Sequence, residues 1–136
     1  MFKNSSSVRA SVAISLGAIA GSLCRYYLGL WITQSADIIF PMGTFMVNLS
    51  GCLLMGFITT ITTSRLAVSP DLVLLMTTGF LGAYTTFSSY ELDTANLLEL
   101  KNLQRDLVYW IGSPLLGLLC FRCGVLLANF AQPKKN

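Results

Sequence analysis

Asn48 is an amide within residues 38–64, a stretch that holds no Asp, Glu, Lys or Arg. Thr44 stands one helical turn before it and shares its face. An amide in such a place is costly unless it finds a partner, because hydrocarbon offers none. Two roles meet that need, an interhelical hydrogen bond that serves packing or a donor facing a conducting path, and the residues alone leave both open. Residues 79–90, GFLGAYTTFSSY, form the second unusual set. Gly82 and the pair Thr85 and Thr86 weaken a helix near its middle, so a break is expected there. Irregular backbone at membrane depth survives only when it is buried in protein or lines a cavity, and its freed carbonyls are ligands for a small cation. Phe87 and Tyr90 lie three apart and share a face. Ring edges are electropositive, so two edges aimed into a dry path attract an anion without a formal positive charge. Ordinary aromatic packing beside a glycine-containing segment accounts for the same pair.

These groups need elements to hold them, and the distribution of charge marks out four. Nine basic and six acidic residues make up 11% of the 136-residue chain, where a soluble globular domain carries roughly 25%. Residues 10–36 hold only Arg25, 38–64 and 72–90 hold no charge, and 107–133 hold only Arg122. A hydrocarbon core about 30 Å thick is crossed by about 20 apolar residues in a helix. The reading is therefore an all-α membrane protein with a single four-helix transmembrane domain over residues 1–136. Its helices are expected at residues 10–31, 41–63, 72–98 and 107–130, with the third broken near its middle. Residues 1–9 read as a Ser-rich disordered or interfacial lead, and Pro41 suits the start of the second helix. Glu91, Asp93 and Glu99 require the late part of the third helix to emerge towards water or a cavity.

Small residues fall where helices must meet. Ala13, Gly17 and Gly21 recur every four residues, and Ser113, Gly117, Cys120 and Gly124 form a similar stripe that lets backbones approach in lipid. Four short helices enclose little of a pore, so oligomerisation is expected. For orientation, Lys3, Arg9, Arg65, Lys134 and Lys135 fall on one side, against Lys101 and Arg105, with Arg25 if it reaches that interface. That bias mildly favours both termini inside and is compatible with insertion in both directions.

Other classes fall away. The chain has no His, and its four Cys offer no paired spacing for a zinc site. Cys120 and Cys123 lie in an apolar helix and read as packing. The loops are too short for a catalytic domain, so no enzyme is expected. A net charge of +3 points to no nucleic-acid partner. The first apolar run is too long for a secretory signal and lacks a cleavage site, so it reads as a retained helix. The expected setting is a multi-pass protein of the cell (inner or plasma) membrane, with lipid around it.

The combination of GTFMVNLSG at residues 43–51, GFLGAYTTFSSY at 79–90 and GSLCR at 21–25 closely resembles the CrcB or Fluc family of fluoride channels. The likeness runs in order from about residue 17 to 124, and its TTFS core is the specific signal. The resemblance implies a dual-topology homodimer of two antiparallel copies. Two fluoride pores would be lined by both subunits, and a structural sodium ion would sit between the helix-three breaks. Carried over by motif, Asn48 would donate its amide to fluoride, and the ring edges of Phe87 and Tyr90 would contact the ion. Backbone carbonyls of Gly82 and Thr85 would hold the sodium. Thr44, Ser88, Tyr109 and Ser113 would supply a track of hydroxyls, and Arg25 would serve a vestibule or interface. Three residues depart from the family pattern. Tyr90 replaces the usual Phe, and Ala83 replaces a second Gly, which leaves the break relying on Gly82. Pro114 removes a backbone donor inside helix four and is expected to kink it.

Fluoride is small and strongly hydrated, so a dry path must replace its water with donors in modest steps; a Lys or Arg at that point would hold it too tightly to leave. The resemblance implies passive export down the electrochemical gradient. Two other readings compete. A small multidrug-type, proton-coupled cation exporter wants an acidic residue at mid-membrane, typically in the first helix, which has none. A non-transporting scaffold wants glycine packing without the polar residues Asn48, Thr85, Thr86 and Ser88.

Overall fold

The computed structural model describes residues 3–36, 40–64, 68–99 and 102–131. Every regular element among them is helical: α1 (Lys3–Ala36), α2 (Met42–Ser64), α3 (Pro70–Leu74), a π-helical segment (Leu75–Leu81), α4 (Gly82–Tyr84), α5 (Phe87–Glu99) and α6 (Leu103–Ala131). Four stretches are long and apolar enough to cross a membrane, Ser6–Ser35, Met42–Thr63, Pro70–Glu99 and Leu103–Ala131. The protein is a multi-pass membrane protein. Arg65, Lys101, Lys134 and Lys135, weighed above for orientation, lie outside the described residues.

The helices outrun the apolar runs, and local chemistry explains where they stop. The Ser-rich lead is helical from Lys3 rather than irregular. Adding a residue to an existing helix gains a hydrogen bond at little nucleation cost, and Arg9 pairs with Asp71 at 2.5 Å, tying the lead to the third span. That span begins at Pro70, not at 72, because Ser69 caps it by accepting from the Leu72 amide and Pro70 occupies a first-turn site where its missing N–H is harmless. At α6 the Asn102 side chain accepts from the Arg105 amide at 3.3 Å, and its carbonyl accepts from Asp106 at 3.1 Å. This cap starts the helix four residues before the apolar window. Pro41 sits outside α2, its carbonyl accepting from Phe45 at 3.1 Å.

Packing follows the small residues. A Cβ on Gly17 would overlap the Leu75 carbonyl, and one on Gly124 would overlap the Leu53 carbonyl. The first contact seats α1 on the third span; the second seats α6 on α2. Two small cores fill what remains. Val47, Leu81 and Tyr84 form one, with the Tyr84 hydroxyl and Ser50 Oγ 2.9 Å apart. Tyr90, Leu97 and Tyr109 form the other. Thr59, Thr60, Thr62 and Thr63, late in α2, donate their hydroxyls back to carbonyls one turn earlier in the same helix.

Candidate functional site

The third span changes conformation at Thr85, whose φ of −79° and ψ of 154° are extended. Both the amide and the hydroxyl of Thr85 donate to the Leu81 carbonyl at 3.0 Å, which closes α4. In a continuing helix the Thr86 amide would donate to the Gly82 carbonyl. Here it donates instead to Asn48 Oδ1 at 2.7 Å, and Asn48 Nδ2 donates to the Thr86 carbonyl at 2.9 Å. One side chain of α2 thus satisfies both backbone groups of one residue of the third span. Gly82 is itself helical, with φ −63° and ψ −33°, and a Cβ there would meet nothing closer than the Thr77 carbonyl at 3.6 Å. The expectation that the backbone change relies on Gly82 is corrected: the extended residue is Thr85, and Asn48 holds the next one.

Thr86 also restarts the helix. Its Oγ1 accepts from the Ser89 amide at 3.2 Å, the N-cap bond of α5. The same oxygen lies 3.3 Å from Ser88 Oγ and donates to Ser89 Oγ at 3.1 Å. Sequence reasoning noted Thr86 as a polar residue of the segment but not as the hub of it. The signal was present, a Thr directly before an amphipathic run.

Asn48, Thr85, Phe87, Tyr90 and Ser113 come together on the wall of one cleft of about 450 Å³. Among the described residues, no Lys or Arg lines it. Phe87 is 73% exposed, whereas Tyr90 is buried, with the two ring centroids 5.6 Å apart. Ser113 Oγ is buried and has no hydrogen-bond partner among the described residues. Asn48, which lines the cleft, makes one bond from Nδ2, to the Thr86 carbonyl, so its second N–H has no partner among the described residues. Thr44 and Arg25 lie elsewhere, on a second cleft of about 390 Å³ that also touches Thr86 and Ser89. Ser88 and Gly82 are exposed and line neither cleft.

Tyr109 is fully buried and lines neither cleft either. Its ring stands 5.4 Å from that of Tyr90, and its hydroxyl donates to Asp93 Oδ2 at 3.3 Å. The Tyr90 hydroxyl does not point into the cleft as an added donor: it donates to the Trp110 carbonyl at 2.5 Å. Helix α6 runs through Pro114 without ending.

For a cation, the described residues contain no group of three or more His, Cys, Asp or Glu suited to hold one. Backbone oxygen is the available chemistry. With the Thr86 amide diverted to Asn48, the Gly82 carbonyl loses its helical donor, and the Thr85 carbonyl lies at the extended step. Both are of the hard, neutral type that suits a small cation.

A sequence model of the family described as "CrcB-like protein, Camphor Resistance (CrcB)" matches residues 12–125. The chain is 50% identical to the "Fluoride-specific ion channel FluC" of a Synechococcus species, over 92% of this chain and 96% of that protein. It is 49% identical to the protein of the same description from Trichormus variabilis, over 90% of each chain. Similarity to "Fluoride-specific ion channel FluC 1" of Moorella thermoacetica is 39%, over 90% of this chain and 87% of that one.

Proposed function

The chain belongs to the CrcB family, and from that premise we propose that it is a fluoride-selective channel that lets the ion leave the cell passively and so lowers cytoplasmic fluoride. The observation that carries the reading is the uncharged cleft whose wall keeps donor capacity unused among the described residues. Asn48 keeps one N–H, Ser113 keeps its O–H, and the rings of Phe87 and Tyr90 stand beside them. Each donor replaces part of the hydration shell, and none binds tightly enough to trap the ion. The Phe87 ring offers its edge as a weak positive surface between stronger donors. Thr44, Ser88 and Tyr109 extend the hydroxyl track, and Arg25 draws anions towards the second cleft.

The working unit is an antiparallel, dual-topology homodimer. An aromatic ring as exposed as Phe87, beside an open cleft, is what a second copy would cover. The carbonyls of Gly82 and Thr85 would hold a structural sodium ion, which when bound supplies a fixed positive potential near the breaks. The competing readings have less support. A proton-coupled exporter would need an acid that α1 lacks, and a scaffold would not need free donors in a cleft.

The test is release of fluoride from liposomes holding the purified protein, with an ionic shunt to balance charge. Fluoride should leave while chloride is retained, and Phe87→Ile should slow the release. Equal release of both halides would overturn the reading.

A further inference from the structure

Two of the residues that depart from the family pattern meet at one atom. A proline at position 114 cannot donate the helical hydrogen bond to the carbonyl four residues earlier, which is that of Trp110. That carbonyl is the one the Tyr90 hydroxyl reaches, at 2.5 Å. Tyr90 and Pro114 both line the cleft that holds Asn48 and Ser113. Trp110 does not itself line the cleft, but the two residues that bear on its carbonyl do; left without a donor, that oxygen would be an unmatched polar atom in a largely apolar place and a negative dipole end close to the anion path.

We propose that Tyr90 and Pro114 form a compensating pair, in which the phenol caps the Trp110 carbonyl freed by Pro114 and keeps that oxygen from facing the anion path. Tyr90 is then a positioning residue as well as a ring edge. Its hydroxyl is held away from the ion, which meets the ring much as it would meet a phenylalanine. Pro114 is tolerated in α6 because its missing donor is replaced from α5. The shielding role rests on the channel reading above; the hydrogen-bond compensation does not.

A double-mutant cycle separates the two. Tyr90→Phe, Pro114→Ala and the double variant would be compared with the native chain by thermal melting in detergent and by fluoride release from liposomes. In the native background, Tyr90→Phe leaves the Trp110 carbonyl without a donor and should lower the melting temperature by about 3–5 °C. It should also slow fluoride release by about three- to tenfold. In the Pro114→Ala background the alanine amide supplies the missing donor, so the same change should have at most about a third of either effect. The rate recovered by adding Pro114→Ala to Tyr90→Phe is a rescue that loss of packing alone would not give. Equal losses of melting temperature in both backgrounds would overturn the compensation, and equal losses of rate would overturn the shielding. If the native chain released no fluoride, the channel reading would fall, and the melting cycle would still decide whether the pair exists.

Discussion

Asn48 and Ser113 occupy the same cleft and make opposite predictions about stability. Asn48 holds the amide and carbonyl of Thr86, so its loss disturbs structure and path together. Asn48→Asp keeps an acceptor for the Thr86 amide but cannot donate to the carbonyl, and it brings a negative charge to the cleft wall. Fluoride release should fall about 100-fold, and the melting temperature should fall with it. Ser113 Oγ has no partner to lose among the described residues. Ser113→Ala should therefore slow release by about three- to tenfold while leaving the melting temperature unchanged or slightly raised. Parallel loss of stability in Ser113→Ala would show that the hydroxyl is structural. At this scale the sequence was partly legible. It raised packing and path as alternatives for Asn48, and the geometry carries the packing role while leaving a donor over. What no spacing reveals is that the packing partner is a backbone, since a bond between residues 38 positions apart depends on how two helices cross.

The elements were legible in number and poorly legible at their ends. Charge gaps locate apolar runs, whereas helices end at caps, and Ser69 and Asn102 each extended a helix beyond its run. The glycines separate into those that allow contact and those that do not. A Cβ on Gly124 would overlap the Leu53 carbonyl, whereas one on Gly112 would meet nothing within 4 Å. Gly124→Ala should lower the melting temperature by about 5 °C or more by pushing α6 off α2. Gly112→Ala should raise it by a few degrees through helix propensity, about 1 kcal/mol. Melting both variants in the same detergent checks the contrast, and equal shifts would count against the close α2 and α6 contact. The π-helical segment Leu75–Leu81 has no sequence signature we recognise; it lies where Gly17, Gly21 and Gly79 bring two backbones together.

At the scale of the molecule, a single copy exposes large apolar side chains along much of its length, including Leu16, Leu23 and Leu119. Lipid accounts for that. It does not account for an open, uncharged cleft beside Phe87, and the proposed antiparallel partner does. If both orientations insert, a single cysteine placed near the start of α1, in a chain whose four native cysteines are replaced, should be labelled about equally from either side of the membrane. Labelling from one side alone would argue against dual topology. The exposed pair of Arg9 and Asp71 should matter little: Arg9→Ala should cost less than about 1 kcal/mol, measured by melting.

The two hydrogen bonds between Asn48 and Thr86 have one more consequence. A carboxamide free to turn about its last torsion presents either its oxygen or its nitrogen to a neighbour, and so can greet ions of either sign. Here the Thr86 amide requires the oxygen and the Thr86 carbonyl requires the nitrogen, so the group cannot flip. With the flip blocked, the second N–H of the amide keeps a fixed place beside the oxygen that the Thr86 amide already occupies. In the proposed channel, the orientation of one backbone unit would thus decide which end of the carboxamide an anion meets.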